Sequence, residues 1–221
     1  MNGRPTAAAA GKIDVGGDVT ANRLGFGAMR ITGPGVWGDP PDRERAIQAL
    51  RRAVALDVNF IDTADSYGPE VSERLIAESI GALAELKDEG KIRHIGVSNV
   101  TEDQFREAER VAAVVSGQNR YNVADRFSEP MLDLCDLEMV VFIPWAPIEE
   151  TGTIPALMAA ARRRGVTERQ VALAWLLTRS PQVLPIPGSG DPDHVEQNVA
   201  AASIELTDEE IRAITLAAVS R

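Results

Sequence analysis

The run Asn59-Phe60-Ile61-Asp62-Thr63-Ala64-Asp65-Ser66-Tyr67-Gly68 closes an apolar stretch on a carboxylate, Asp62, and supplies a phenol, Tyr67, in the turn that follows. Such a pair can serve carbonyl chemistry. A tyrosine with a lowered pKa can donate a proton to a carbonyl oxygen as hydride reaches the carbon. Lowering a phenol from about 10 requires a nearby cation or a chain of hydrogen bonds. The residues alone leave a second reading open, in which Asp62 caps a turn and Tyr67 packs. Polar residues recur after other short apolar runs, at Ser98-Asn99, Gln118-Asn119 and Gly188-Ser189. The single cysteine, Cys135, excludes an intrachain disulfide. With no signature around it, it reads as a small apolar helix residue and not as a nucleophile.

Residues so spread along the chain can meet only if several strand ends are delivered to one place. A hairpin over residues 12–21 is expected, turning at Gly16-Gly17. A Gly-rich strand runs from Arg23 to Met29, and a loop over residues 31–41 carries Trp37, which either walls a substrate pocket or packs on its own turn. Asp42 caps a helix reaching about Leu56, with Ala46, Ile47, Leu50 and Val54 at helical spacing. Strands then fall at 59–63, 92–98, 114–118, 140–145 and 183–187. They alternate with helices at 71–89, 101–113, 129–137, 154–164, 167–178, 192–202 and 208–218. Apolar strands alternating with helices imply a parallel sheet covered by helices. Polar residues after nearly every strand favour a barrel, with its site at the carboxyl ends, over a single crevice. No Gly-x-Gly-x-x-Gly opens a helix, which argues against a Rossmann domain.

The 221 residues suit one domain, with residues 1–11 expected to be disordered. A formal net charge of -10 and a pI near 4.8 argue against nucleic acid or an anionic membrane as the main partner. A phosphate-bearing ligand must then be held by local groups. No signal peptide, no 18-residue apolar run and no metal-ligand spacing is evident, so a cytoplasmic location is expected.

At this point the sequence resembles the aldo-keto reductase family. The matching stretches are Leu24-Gly25-Phe26-Gly27, Phe60 to Gly68, Gly90 to Asn99, Gln118-Asn119-Arg120-Tyr121-Asn122 and Ile186-Pro187-Gly188-Ser189, all in family order. The resemblance implies a TIM-barrel-type (β/α) fold that binds NADP(H), with NAD(H) an alternative, and reduces an aldehyde or ketone. It implies that Asp62 and Tyr67 are two members of an Asp, Tyr, Lys, His tetrad. It assigns Ser98, Asn99 and Gln118 to the nicotinamide carboxamide and Trp145 to stacking on the ring, although Trp145 also reads as a core residue. It assigns Gly188, Ser189, His194, Gln197 and Asn198 to the adenosine-phosphate end, where His194 stands in place of a basic residue.

The same resemblance implies that about two of eight βα units are absent, together with the tetrad Lys and His. The helix after Tyr67 passes at Glu78-Ser79 into a stretch like the one before the family's fifth strand. Two units of a typical barrel amount to about 60 residues. Lys87 and Lys91 precede a strand instead of following one, and His94 lies within it, where packing is the expected role. Six strands must either re-close or leave an open edge that invites self-association. Three functions follow: an impaired reductase, a non-catalytic nicotinamide-nucleotide-binding protein, or an inactive deletion product.

Overall fold

The computed structural model describes residues 5–27, 42–62, 84–85, 87–90 and 93–217. The chain opens on an antiparallel hairpin of β1 (Lys12–Val15) and β2 (Val19–Asn22). Its turn holds Gly16 and Gly17 at φ 66 and 84, where a side chain is strained. Gly16 is needed for space as well, because a Cβ there would come within 2.2 Å of the His94 ring. His94 Nε2 also meets Asp18 Oδ1 at 2.5 Å. His94 therefore packs, as expected, and ties the hairpin to the start of the next strand.

Five short strands carry the site: β3 (Phe26–Gly27), β4 (Ile61–Asp62), β5 (Ile95–Ser98), β6 (Val114–Arg120) and β7 (Val141–Trp145). Every pairing among them is parallel: β3 with β4, β5 with β6, and β6 with β7. Residues 183–186 connect the two groups. Leu184 N donates to Phe142 O on β7, and Gly25 N donates to Pro185 O, both at 2.9 Å. The expected strand at 183–187 is thus reduced to one bridge, Phe142 with Val183. Pro185 and Pro187 have no N–H to extend the ladder. The spatial order is β5, β6, β7, 183–186, β3, β4. Among the described residues no ladder joins β4 to β5, and the arrangement is an incomplete parallel barrel.

The helices begin and end where the caps dictate. Asp42 accepts from Arg45 N at the start of α1 (Arg43–Ala55). Thr101 and Gln104 form a capping box on α2 (Glu102–Val111), and Thr167 and Gln170 do so on α5 (Glu168–Arg179). Helix α3 covers Glu129–Leu137, and α4 (Pro155–Arg164) stops at Gly165, φ 66. Helices α6 (Pro192–Ala200) and α7 (Asp208–Ala217) complete the chain.

Two expectations need correction. Helix α1 buries Ala46, Ala49, Ala53 and Leu56, while Val54 is 60% exposed. Ala46 and Leu50 of the expected stripe do pack inward, but Val54 does not, and Ala49 and Ala53 take its place on the face toward α6. Residues 7–10, expected to be disordered, form a 3-10 turn capped by Thr6, with Ala7 fully buried. Thr6 Oγ1 donates to Asp57 at 2.6 Å, a contact invisible in local sequence. The seam at Glu78-Ser79, with Lys91 and Trp37, lies outside the described residues.

Candidate active site

The strand ends bring most of the expected residues to one cavity of about 920 Å³. Asp62 ends β4 beside Gly27 of β3. A Cβ on Gly27 would stand 2.6 Å from Ile186 O, so glycine lets the 186–188 segment cross the mouth of β3. Gly188 and Ser189 join the cavity wall there. Ser98 and Asn99 leave β5, Gln118 lies on β6 and Trp145 ends β7; all four also line the cavity.

A chain of hydrogen bonds crosses its floor. Trp145 Nε1 donates to Asn99 Oδ1 at 2.8 Å, and Asn99 Nδ2 donates to Ser98 Oγ at 3.1 Å. Ser98 Oγ donates to Gln118 O at 3.0 Å, and Gln118 Nε2 donates to Asp62 Oδ1 at 2.9 Å. Asn99 holds φ 55, a left-handed conformation that asparagine tolerates better than most residues. The next residue is fixed too: Val100 N donates to the buried Asn119 Oδ1, and Asn119 Nδ2 returns the bond to Val100 O at 2.8 Å. The polar floor is therefore set by main-chain geometry before any ligand arrives.

Three expected residues lie elsewhere. Gln197 lines a separate cavity of about 440 Å³ with Pro5 and Glu196. Asn198 is 6% exposed and packed within α6. His194 is half-exposed, its Nδ1 3.9 Å from Asp191 Oδ2. Tyr67 lies outside the described residues. The chain's other tyrosine, Tyr121, is fully buried and hydrogen-bonded to Glu129 and Arg179. Burial pushes its phenol up, against the opposing pull of Arg179. Cys135 is buried as well, and burial pushes its thiol up to about 12. It is inert, as its sequence context suggested.

Two arginines in or beside the cavity escaped the sequence reading. Arg120, beside it, lies 5.4 Å from the Trp145 ring centroid and is held by Asp125 at 2.7 Å and Glu149 at 2.8 Å. Its position two residues past Gln118, on the same strand face, was the available signal. Arg169, near the start of α5, lines the cavity and has no acidic partner among the described residues. Nothing local distinguished it from other surface arginines.

The model of the aldo/keto reductase family matches residues 23–82, 76–154 and 149–218, and the chain belongs to that family. It is 37% identical to an uncharacterised oxidoreductase of Schizosaccharomyces pombe, over 92% of this chain and 88% of the relative. It is 33% identical to pyridoxine 4-dehydrogenase of Escherichia coli, over 93% of this chain and 97% of the relative. The yeast alignment runs over 273 positions against 221 residues in this chain, so at least 52 positions have no counterpart here. The first two family matches overlap at 76–82, which brackets the Glu78-Ser79 seam. Among solved structures, an aldo/keto reductase from Klebsiella pneumoniae in complex with NADP and acetate superposes with a TM-score of 0.75 at 22% identity. It covers 92% of this chain and 93% of its own, and shares the fold.

Proposed function

We propose that this chain binds a nicotinamide dinucleotide along the cavity and reduces a small aldehyde or ketone, with catalysis weakened by loss of the tetrad Lys and His. The observation that carries the reading is the single cavity holding Asp62, Ser98, Asn99, Gln118 and Trp145 on one hydrogen-bonded floor. The volume suits a ligand of dinucleotide size. The donor set fits as well. Gln118 Oε1 has no protein partner among the described residues and can accept from a carboxamide. The pinned Trp145 indole offers a flat face. Gly188, Ser189 and His194 would meet the adenosine-phosphate end, with Gln197 and Asn198 on the helix behind. When bound, the nucleotide supplies the hydride. Tyr67 would protonate the carbonyl oxygen and Asp62 would support it. The cofactor is NADP(H) or NAD(H). The Klebsiella neighbour, which holds NADP, favours the first, while the engagement of His194 with Asp191 leaves room for the second.

General acid catalysis contributes about 10²–10⁴-fold, so absence of the cation that lowers the tyrosine pKa puts much of that at risk. One observation favours the non-catalytic alternative: the described partner of Asp62 is a neutral amide and not a lysine. Fluorescence titration with NADPH and NADH, followed by turnover of a reactive aldehyde, separates the readings. A pyridine-ring aldehyde is a reasonable first choice, because one relative is named for pyridoxine. Binding with slow turnover is expected. Binding with none supports the non-catalytic reading, and no binding of either nucleotide overturns both.

A further inference from the structure

We propose that Gln118 is a positioning residue that clasps Asp62 across the interior of the barrel, taking over the geometric part of the work of a cationic partner without its charge. The proposal rests on the reading of Asp62 as a site residue. Strands β4 and β6 lie in different sheets among the described residues. Gln118 Nε2 nevertheless reaches Asp62 Oδ1 at 2.9 Å. Among the described residues no other side-chain hydrogen bond joins β4 to β5, β6 or β7.

The donor side of this clasp is rigid. Gln118 O accepts from Asn99 N at 2.9 Å and from Ser98 Oγ at 3.0 Å, and Gln118 is in register with Ser98 and Ile143 on the flanking strands. Asp62 sits on β4, in register with Gly27 of β3. The amide therefore ties the β3–β4 pair to the β5–β7 sheet. An amide gives direction but no net charge, so it orients Asp62 without adding the positive field that would lower a phenol pKa. Its second N–H and Oε1 remain for a ligand.

The test exchanges the two head groups at constant side-chain length. In D62N/Q118E the amide sits on the short side chain and the carboxylate on the long one, so the hydrogen bond re-forms with its donor reversed. Q118E alone places two carboxylates within hydrogen-bond reach, and such a pair retains a proton in the folded state. A folded state that binds the extra proton loses stability as pH rises. The urea midpoint of Q118E should then fall below wild type by an amount that is small at pH 5 and grows to pH 8. D62N/Q118E should recover most of that loss and lack its pH dependence. The other charged cavity residues, Glu149, Glu150 and Arg169, are common to all variants and cancel in the comparison. Should Q118E not fold at high pH, Q118N, one methylene short, should lower the midpoint equally at pH 5 and pH 8. A Q118E deficit independent of pH, a double variant no better than Q118E, or a Q118N midpoint equal to wild type each overturns the clasp. None of these readouts needs cofactor, so NADPH titration of the wild-type protein fails or succeeds separately.

Discussion

The two sides of the incomplete barrel use the same parallel strands and are held by different means. Around β5, β6 and β7, 26 buried apolar residues from Ile95 to Ile214 form one cluster. Its centre is aromatic: Trp175 stacks on Tyr121 at 6.1 Å, and Tyr121 meets Phe142 edge-on at 5.7 Å. Around β3 and β4 the cluster has nine members among the described residues, and two of them, Val195 and Val199, come from α6 near the far end of the sequence. A third, small cluster lies between them, where Ile13 and Ala21 of the hairpin pack with Val141, Ile143, Leu184 and Ile186. One side is thus assembled largely from consecutive chain, and the other depends on long-range contacts and on the hairpin. A βα unit carries its own covering helix, so removing neighbours leaves the β5–β7 side intact. The β3–β4 side loses the strands that would have followed β4.

The strongest way to break this contrast is at its aromatic centre. Trp175 is fully buried, and its Nε1 donates to Thr215 Oγ1 at 3.0 Å. W175A should cost ~3–5 kcal/mol, the range for deleting a large buried aromatic. Urea unfolding should show the whole molecule losing stability, because the β3–β4 cluster is the smaller one among the described residues. If the β3–β4 residues kept their hydrogen-exchange protection in W175A, the dependence would run the other way.

The next effect should be local. Leu56 is 1% exposed and closes the α1 stripe against β3 and α6. L56A should cost about 2–4 kcal/mol. Its signature should be early exchange of amides in α1 and β4 while those of β6 and α5 stay protected, as for separately opening units. Simultaneous loss on both sides would show one cooperative unit and dissolve the comparison.

The same contrast explains what was legible in the sequence. Helix ends on the β5–β7 side follow local chemistry at Thr101, Gly165 and Thr167, and were readable to within a residue or two. The face of α1 was legible only in part, at Ala46 and Leu50, because Ala49 and Ala53 carry no strong signal until α6 is known to lie against them. The strand at 183–187 read as apolar, yet two prolines limit it to one bridge. In the site, Ser98, Asn99 and Gln118 were legible at strand ends, since a parallel barrel turns sequence position into spatial convergence, while Trp145 came only with the family resemblance. The bond from Gln118 to Asp62 was not, because it joins residues 56 positions apart on strands that do not pair among the described residues.

Two ion pairs sharpen the comparison on a smaller scale. On the β5–β7 side, Arg164 Nη2 meets Glu210 Oε2 at 2.6 Å, and Glu210 is 7% exposed. The Arg164 hydrogen bond leads in drawing its carboxyl from 4.5 down to about 2, against the cost of burial. A carboxyl lowered on folding adds stability that is complete above about 4.5 and is lost as pH falls toward about 2. E210Q should lower stability by about 1.5 kcal/mol at pH 7. The gap to wild type should close on acidification through that window, as read from urea midpoints.

On the β3–β4 side, Arg45 Nη2 meets Asp191 Oδ2 at an equally short 2.6 Å, but the side chains are 54% and 25% exposed. The Arg45 hydrogen bond again leads in lowering the Asp191 carboxyl. Equal geometry does not imply equal worth here, because the carboxylate of the first pair is 7% exposed and that of the second 25%. R45A should shift the urea midpoint less than E210Q does. That shift should vanish in about 1 M salt, where the screening length is about 3 Å, while the E210Q shift survives. A salt-resistant R45A loss as large as that of E210Q would mean that charge, and not the alanine face of α1, holds α1 to α6. The weaker side would then owe its structure to an interaction of the same kind as the stronger one.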